Sequence, residues 1–496
     1  MKTIVLGPPG TGKTTTLLNL VDKYLKQTDP NRIGYFAFTQ KAAYEARDRA
    51  VEKFNLSEDD LPYFRTLHSL AFRRLGIQKQ NVMQKRHYAD LGKKLGFPVD
   101  YEENDQEMNG VFSTKSDYLR IIQLAKLRNI SFEKQYDLKE HTQDVEFNKL
   151  KIIAHELERY KKEYGLVDFN DMILKFIESD ASPKFDVVFV DEAQDLSLMQ
   201  WDMVKTIWNK TANNYIAGDD DQAIFKWAGA DVDSFIALDG KFINLTQSFR
   251  IPAKIHDIAM KIIGKINNRI PKLWKPKMKQ GKVSIYSDFR EIDMSQGEWL
   301  ILARTRSLLD ELEEVLYQKG YFYRNKFKKG YESNLYEAIT HWEKWRKGGT
   351  LDYQTVTQIF SYISPKNLQK EQLALMNKDS FYSLEECKNK YGLLTDKVWY
   401  EALDEAPTRG VSYIRKMRQN GEKLNQAPRI TLSTIHGAKG GECQNVVLLT
   451  DLTRRTYGEY EQRPDDVNRL FYVGATRTKD HLHIVEPKDI YKSYLL

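Results

Sequence analysis

Gly7-Pro8-Pro9-Gly10-Thr11-Gly12-Lys13-Thr14 fills every fixed position of the pattern G-x-x-x-x-G-K-S/T, and Thr15 follows it. Each residue type has a physical task. The glycines let backbone N–H groups converge on phosphate oxygens, and a helix that starts at the loop adds partial positive charge. Lys13 can reach the outer phosphates and the Thr14 hydroxyl can ligate Mg²⁺. The flanks suit the task. Thr3-Ile-Val-Leu-Gly7 is β-branched and apolar and closes on glycine, and Thr14-Thr-Thr-Leu-Leu-Asn-Leu-Val has helical character. Strand, loop and helix together imply a nucleoside-triphosphate site.

A second apolar strand, Phe185-Asp-Val-Val-Phe-Val190, runs into Asp191-Glu192-Ala-Gln-Asp195. A carboxylate at a strand tip can hold Mg²⁺, so Thr14 and Asp191 are the expected metal residues. Glu192 is placed to orient and deprotonate a water, which points to hydrolysis rather than transfer to an acceptor.

These elements sit in a chain of 496 residues, room for about three domains at ~150 residues each. The balance is that of a globular protein, with 41% hydrophobic and 29% charged residues. No stretch approaches the ~20 apolar residues that a membrane helix needs, and the first residues are too short an apolar run for a secretory signal. Two cysteines make neither a disulfide framework nor a thiolate metal cluster, so a soluble protein of a reducing compartment is expected. The net charge of +7 is compatible with a polyanionic partner without establishing one.

Further motifs follow in order: Ala217-Gly-Asp-Asp-Asp-Gln222-Ala-Ile-Phe-Lys-Trp227, Leu245-Thr-Gln-Ser-Phe249-Arg250, Thr434-Ile-His436-Gly-Ala-Lys-Gly440 with Glu442, and Asn468-Arg-Leu-Phe-Tyr-Val-Gly-Ala-Thr-Arg477. From residue 7 to about 483 this series resembles the UvrD/Rep/PcrA branch of superfamily-one helicases. The resemblance implies an α/β fold of two RecA-like P-loop motor lobes, mainly parallel sheets, each with a helical insertion. It implies an ATP hydrolase that uses ATP and Mg²⁺ to move 3′→5′ on single-stranded DNA and to unwind duplex at single-strand/double-strand junctions. It assigns Lys13, Asp191, Glu192, Gln222, Arg250 and Arg477 to catalysis. Gln222 would touch the γ-phosphate, and Arg250 and Arg477 would reach it from the second lobe. Phe249 stands where relatives place an adenine-stacking tyrosine, and Glu442 matches a glutamate that bonds ribose. The adenine-reading segment that relatives carry before the first strand has no counterpart, so weaker adenine selectivity than the family norm is expected.

For DNA the resemblance carries over Phe38 (base stacking), Thr39 (backbone), His68 within Thr66-Leu-His68-Ser69, Trp227 (base stacking) and His436 (linking the ATP and DNA sites). Aromatic platforms with backbone-tracking donors are what sequence-independent single-strand binding requires. The competing reading of Phe38 and Trp227 is that they are core residues. The basic stretch Pro271–Lys282 could meet phosphates, but its two prolines favour an extended connector.

Motif placement divides the chain into a first lobe at 1–84 and 166–249, its insertion at 85–165, a second lobe at 250–334 and 428–496, and a short accessory insertion at 335–427. Leu150, Ile153, Leu157, Tyr160 and Tyr164 predict an amphipathic helix in the first insertion. The same spacing recurs at Ile255, Ile258, Ile262 and Ile266, and at Val356, Ile359, Phe360 and Ile363. Asp168-Phe-Asn-Asp171 resembles a family element of uncertain role. A monomeric motor in a bacterial or phage-infected cytoplasm is expected, with replication or recombination proteins as possible partners. Two rivals stand beside it: a translocase that strips proteins with little unwinding, and a phosphotransferase or ATP-gated binding module.

Overall fold

The computed structural model describes residues 2–97, 99, 116–140, 144–328, 333–423 and 426–496. The parts of the expected insertions at 98, 100–115, 141–143 and 424–425 lie outside the described residues. The chain forms two compact units, Met1–Gly281 with Gly458–Thr476, and Lys282–Tyr457 with Arg477–Leu496. Each is built on a six-stranded sheet whose neighbours all pair in parallel.

In the first unit the strands are β1 (Lys2–Leu6), β2 (Ile33–Ala37), β3 (Phe64–Arg65), β4 (Val187–Asp191), β5 (Asn213–Gly218) and β6 (Lys241–Asn244), in spatial order β3-β2-β4-β5-β1-β6. β2 and β4 are buried along their whole length, as expected of central strands covered on both faces. Parallel pairing puts all carboxyl ends at one edge, where open α/β sheets bind ligands. Gly7, Phe38, Thr66, Glu192 and Asp219 each follow a strand at that edge.

The first insertion has an apolar core of its own. The helix Phe147–Glu163 buries Leu150, Ile153, Leu157 and Tyr160 against the helices Lys85–Leu95 and Asp117–Leu127. Tyr164, the last residue of the predicted stripe, is the exposed C-cap.

In the second unit β7 (Lys282–Tyr286), β8 (Trp299–Ala303), β9 (Tyr323–Asn325), β12 (Ile430–Thr434), β13 (Cys443–Leu449) and β14 (Thr478–Val485) lie in the order β7-β14-β13-β8-β12-β9. β10 (Thr350–Asp352) and β11 (Phe381–Ser383) form a separate antiparallel pair. Val356, Ile359, Phe360 and Ile363 are buried as the spacing predicts, in one cluster with Ile301 and Leu432 of the sheet. The second insertion therefore shares the core of its sheet.

The contacts group residues differently from motif placement. Residues 250–281 and the helix Pro464–Ala475, both expected in the second lobe, pack within the first unit. The helix Ala253–Ile263 buries Ile255, Ala259, Ile262 and Ile263 and lies against Pro464–Ala475, in which every residue from Val467 to Ala475 is buried. Two helices with such faces find their apolar partner in each other.

Candidate nucleotide and nucleic-acid sites

The phosphate loop leaves β1 at Gly7, whose N–H donates to the Gly218 carbonyl (3.1 Å), and enters the helix Lys13–Leu25. Gly10 and Gly12 have φ of 72° and 80°, a conformation that glycine adopts without strain. A Cβ on Gly10 would stand 2.4 Å from Cβ of Arg250, so that glycine is also required by the close approach of the 248–250 segment. The approach is held by hydrogen bonds: Phe249 N–H donates to the Gly10 carbonyl (2.9 Å) and the Ser248 hydroxyl to the Pro9 carbonyl (2.8 Å). Arg250 thus stands beside the phosphate loop, within the first compact unit. Phe249 is 74% exposed at the same place, an open ring face next to the loop.

Lys13 Nζ donates to the Gly7 carbonyl (3.0 Å) and lies 3.6 Å from Glu192. Asp191, at the tip of β4, accepts from the hydroxyls of Thr14 and Tyr35, both at 2.9 Å, and from Glu192 N–H at 2.9 Å. Burial raises the Asp191 pKa, Glu192 beside it adds to the rise, and Lys13 offsets only part. A buried carboxylate in that state favours an added cation. The Thr14 hydroxyl and Asp191 carboxylate are hard oxygen donors, the set Mg²⁺ takes when phosphate and water complete its shell. Glu192 adopts φ 54°, ψ 40°, uncommon for a residue with a Cβ.

A polar chain leads away from Glu192. Gln194 Nε2 donates to Glu192 Oε2 (2.6 Å), Asp219 N–H donates to Gln194 Oε1 (3.0 Å), and Gln222 Nε2 donates to Asp219 Oδ2 (2.7 Å). Five residues beyond Gln222, Trp227 sits in the short turn Lys226–Ala228 and is 39% exposed. Gln194 stands in the motif Asp191-Glu-Ala-Gln, yet nothing in sequence spacing could reveal that its amide bridges two motifs.

Asp219, Asp220 and Asp221 are all buried. Lys272 Nζ lies 3.2, 2.5 and 3.0 Å from the three carboxylates in turn, and Arg269 makes a bidentate pair with Asp221 (2.6 and 2.7 Å). The basic stretch Pro271–Lys282 thus spends Lys272 on an internal acidic cluster. Its backbone runs extended along the arginine motif: Lys275 N–H donates to the Thr246 carbonyl, Ser248 N–H to the Lys275 carbonyl, and Lys277 N–H to the Ile251 carbonyl.

Two residues expected at the DNA are buried. Phe38 is 6% exposed, with its ring stacked on Phe225 at 5.6 Å. His68 is buried edge-on to Phe169, and burial pushes its pKa down to about 4. Thr39 uses its hydroxyl to cap the helix Gln40–Phe54, accepting from Ala42 N–H (3.1 Å). The sequence reading missed Arg65 at the end of β3. It is 8% exposed, and its side chain donates to the Ser69 hydroxyl (3.3 Å). Burial and then Arg73 push its pKa down to about 10, and Arg47 adds to this.

In the second unit, Arg477 precedes β14, its carbonyl accepting from Cys443 N–H (3.0 Å) and its Nη1 donating to the Gly441 carbonyl (3.3 Å). Glu442 pairs with Lys479 at 3.1 Å, and His436 opens the turn that follows β12. The first unit therefore brings together Lys13, Thr14, Asp191, Glu192, Gln222, Phe249 and Arg250, while Arg477, Glu442 and His436 belong to the other unit.

A phosphate loop and an acidic strand tip at the carboxyl edge of a parallel sheet define the first unit as a P-loop nucleotide-binding domain. A family model for the UvrD/REP helicase N-terminal domain matches residues 1–243, and one for the UvrD-like helicase C-terminal domain matches residues 411–488. The chain belongs to the UvrD/Rep helicase family. It is 23% identical to the ATP-dependent DNA helicase PcrA of Bacillus subtilis over 98% of this chain and 80% of that protein. It is 26% identical to DNA helicase II of Escherichia coli over 65% of this chain and 49% of that protein. DNA helicase II of Haemophilus influenzae matches at 28% over 58% of this chain and 42% of that protein. The chain thus spans most of the first relative's length and about half or less of the other two. No helix among the described residues is long and apolar enough to cross a membrane.

Proposed function

We propose that this chain is an ATP-dependent DNA helicase that moves 3′→5′ along single-stranded DNA and opens duplex at junctions. The observation that carries the reading is the unbroken polar chain from Glu192 through Gln194 and Asp219 to Gln222, on the loop that ends at the exposed Trp227. It runs from the carboxylate read as water-activating into the loop that carries the ring read as a base-stacking platform. An enzyme that only transferred phosphate would have no use for that link.

In this reading Lys13 exchanges the Gly7 carbonyl for the β- and γ-phosphates, and Thr14 and Asp191 are the residues that would hold Mg²⁺, which would supply positive charge against the phosphates. Glu192 takes a proton from the attacking water as its oxygen bonds to the γ-phosphorus and the bond to the β-phosphate oxygen breaks, giving ADP and phosphate. Arg250 and Arg477 stabilise the charge on the transferring group, and Phe249 stacks on the base. Trp227 stacks on DNA, and the edge bearing Arg65, Arg73, Arg47 and the exposed Tyr44 tracks its backbone, a basic and aromatic combination suited to single strands. The two motor lobes follow the motif division given above, with residues 250–281 docked on the first.

The test is ATP turnover with and without single-stranded DNA, followed by strand displacement on duplexes with a 3′ or a 5′ tail. Stimulation by DNA and opening of the 3′-tailed duplex alone are expected. Turnover indifferent to oligonucleotides would overturn the reading. A second reading, translocation that strips bound proteins with little unwinding, is favoured by the second insertion sharing the core of its sheet. Fast removal of streptavidin from a 3′-biotinylated strand without duplex opening would select it.

A further inference from the structure

The loop from Asp219 to Trp227 is gripped at two backbone carbonyls by arginines from two other elements of the first unit. Arg469, buried in the helix Pro464–Ala475, donates from Nε to the Asp220 carbonyl (2.8 Å). Arg128, which caps the helix Asp117–Leu127 of the first insertion, donates from Nη2 to the carbonyl of Lys226, the residue before Trp227 (3.3 Å). The loop also seats on that insertion helix at Gly229, whose φ is 96° and where a Cβ would stand 3.1 Å from Leu127.

One carboxylate ties the two gripping elements together. Glu140 Oε2 accepts from Arg128 Nη1 (2.6 Å) and from Gln135 Nε2 (3.2 Å), and Gln135 Oε1 accepts from Arg128 Nη1 in turn (2.9 Å). Glu140 Oε1 accepts from Arg463 Nη2 (2.5 Å), and Arg463 is the N-cap of the helix that carries Arg469. The side chains of Glu140 and Arg128 are 15% and 17% exposed. Burial acts to raise the Glu140 pKa, but Arg128 and then Arg463 overcome it and hold the carboxyl below its usual range, so the group is an anion between two cations. Without its charge the two guanidiniums repel, and Arg128 loses the contact that aims its other nitrogen at Lys226.

We infer that Glu140 is a positioning residue for Trp227: by fixing Arg128 against Arg463 it sets the stance of the base-stacking loop, so that the first insertion governs how strongly DNA stimulates ATP turnover. The inference rests on the reading above, in which Trp227 stacks on DNA and turnover responds to it. It does not place Glu140 on nucleotide or nucleic acid.

The test compares wild type with Glu140→Gln, Glu140→Asp, Trp227→Ala and the double variant Glu140→Gln/Trp227→Ala, all in the full chain. Basal turnover of Glu140→Gln should stay within about twofold of wild type, while the maximal stimulation by a poly(dT) oligonucleotide falls about tenfold, the scale of one coupled contact. Glu140→Asp should recover part of the loss. The double variant should be stimulated no less than Trp227→Ala alone, because Glu140 acts through that ring. Equal loss of basal and stimulated turnover, or losses that multiply in the double variant, would overturn the inference. Should Glu140→Gln fail to fold, Arg463→Gln removes the more exposed partner and must show the same selective loss. A wild type that DNA does not stimulate refutes the underlying reading itself, an outcome separate from an unchanged ratio in the variants.

Discussion

Asp168 and Asp191 are the same residue, equally buried at 4% and 3% exposure, in the same unit, and the structure treats them in opposite ways. Asp168 caps the helix Phe169–Glu178 and is met by Lys161 at 2.9 Å and Lys126 at 3.5 Å. Burial alone would raise its pKa, but Lys126 and Lys161 hold it well below the carboxylate range. Asp191 has three hydrogen-bond donors and, among the described residues, no cation paired with it; its pKa is raised. A scaffold carboxylate is neutralised inside the protein. Asp191 is left short of positive charge, and an added cation can provide it. The contrast also gives the Asp168-Phe-Asn-Asp171 element a role, because Lys126 and Lys161 come from two helices of the first insertion and pin it to the helix that Asp168 caps.

The contrast breaks most visibly in turnover. Asp191→Asn should lower ATP hydrolysis on the order of 10³-fold, the scale of losing a fixed group at a charge-developing site. The melting temperature of the nucleotide-free protein should hold or rise, since an ionised carboxylate at that position costs stability. Lys13→Ala should match it in turnover while oligonucleotide binding without nucleotide persists, because the ammonium serves phosphate. A large drop in the Asp191→Asn melting temperature would place Asp191 in the scaffold with Asp168.

Asp168→Asn is expected to do the reverse. Removing one partner of a buried ion pair costs about 3–5 kcal/mol, so chemical denaturation should shift to markedly lower denaturant while per-molecule turnover of the folded fraction changes little. The sign with pH follows from the lowered pKa. The carboxylate's contribution is present above the unfolded value of about 4 and is lost as pH falls through the folded value. The stability gap between wild type and variant should therefore be constant above about pH 5 and close in stronger acid. A gap that widened in acid would mean that the lysines do not hold Asp168 ionised.

The motif-bearing parts of both sheets were legible because parallel strands buried on both faces read as unbroken apolar runs, and Val187–Val190 and Val446–Leu449 do so. The candidate nucleotide site was legible for a related reason: Lys13 and Thr14 close a short loop that leaves β1, and Asp191 and Glu192 stand at the tip of β4. What escaped reading depends on partners far apart in sequence. Phe38 and Phe225 stack across almost two hundred residues, and no periodicity signals that they bury each other. Nothing in the run of lysines around Lys272 shows that its carboxylate partners lie about fifty positions upstream. The helix Pro464–Ala475 carries a terminal motif, and only the apolar faces it shares with Ala253–Ile263 place it in the first unit.

The smallest expected effect tests the mirror image of Asp191. Arg65 is a buried cation whose charged neighbours are the arginines Arg73 and Arg47, and its Nε has no hydrogen-bond partner among the described residues. If an undercompensated carboxylate marks the metal position, an undercompensated guanidinium at the same edge of the sheet marks a phosphodiester. Each phosphate neutralised on a single strand contributes about −0.7 to the slope of log affinity against log salt. Arg65→Ala should therefore weaken oligonucleotide binding modestly and make that slope shallower by about 0.7, equally for all base sequences. Trp227→Ala should weaken binding with the slope intact, because stacking releases no counterions. A slope that Arg65→Ala leaves unchanged, in protein that still binds DNA, would return Arg65 to the scaffold and confine the rule drawn from Asp168 and Asp191 to anions.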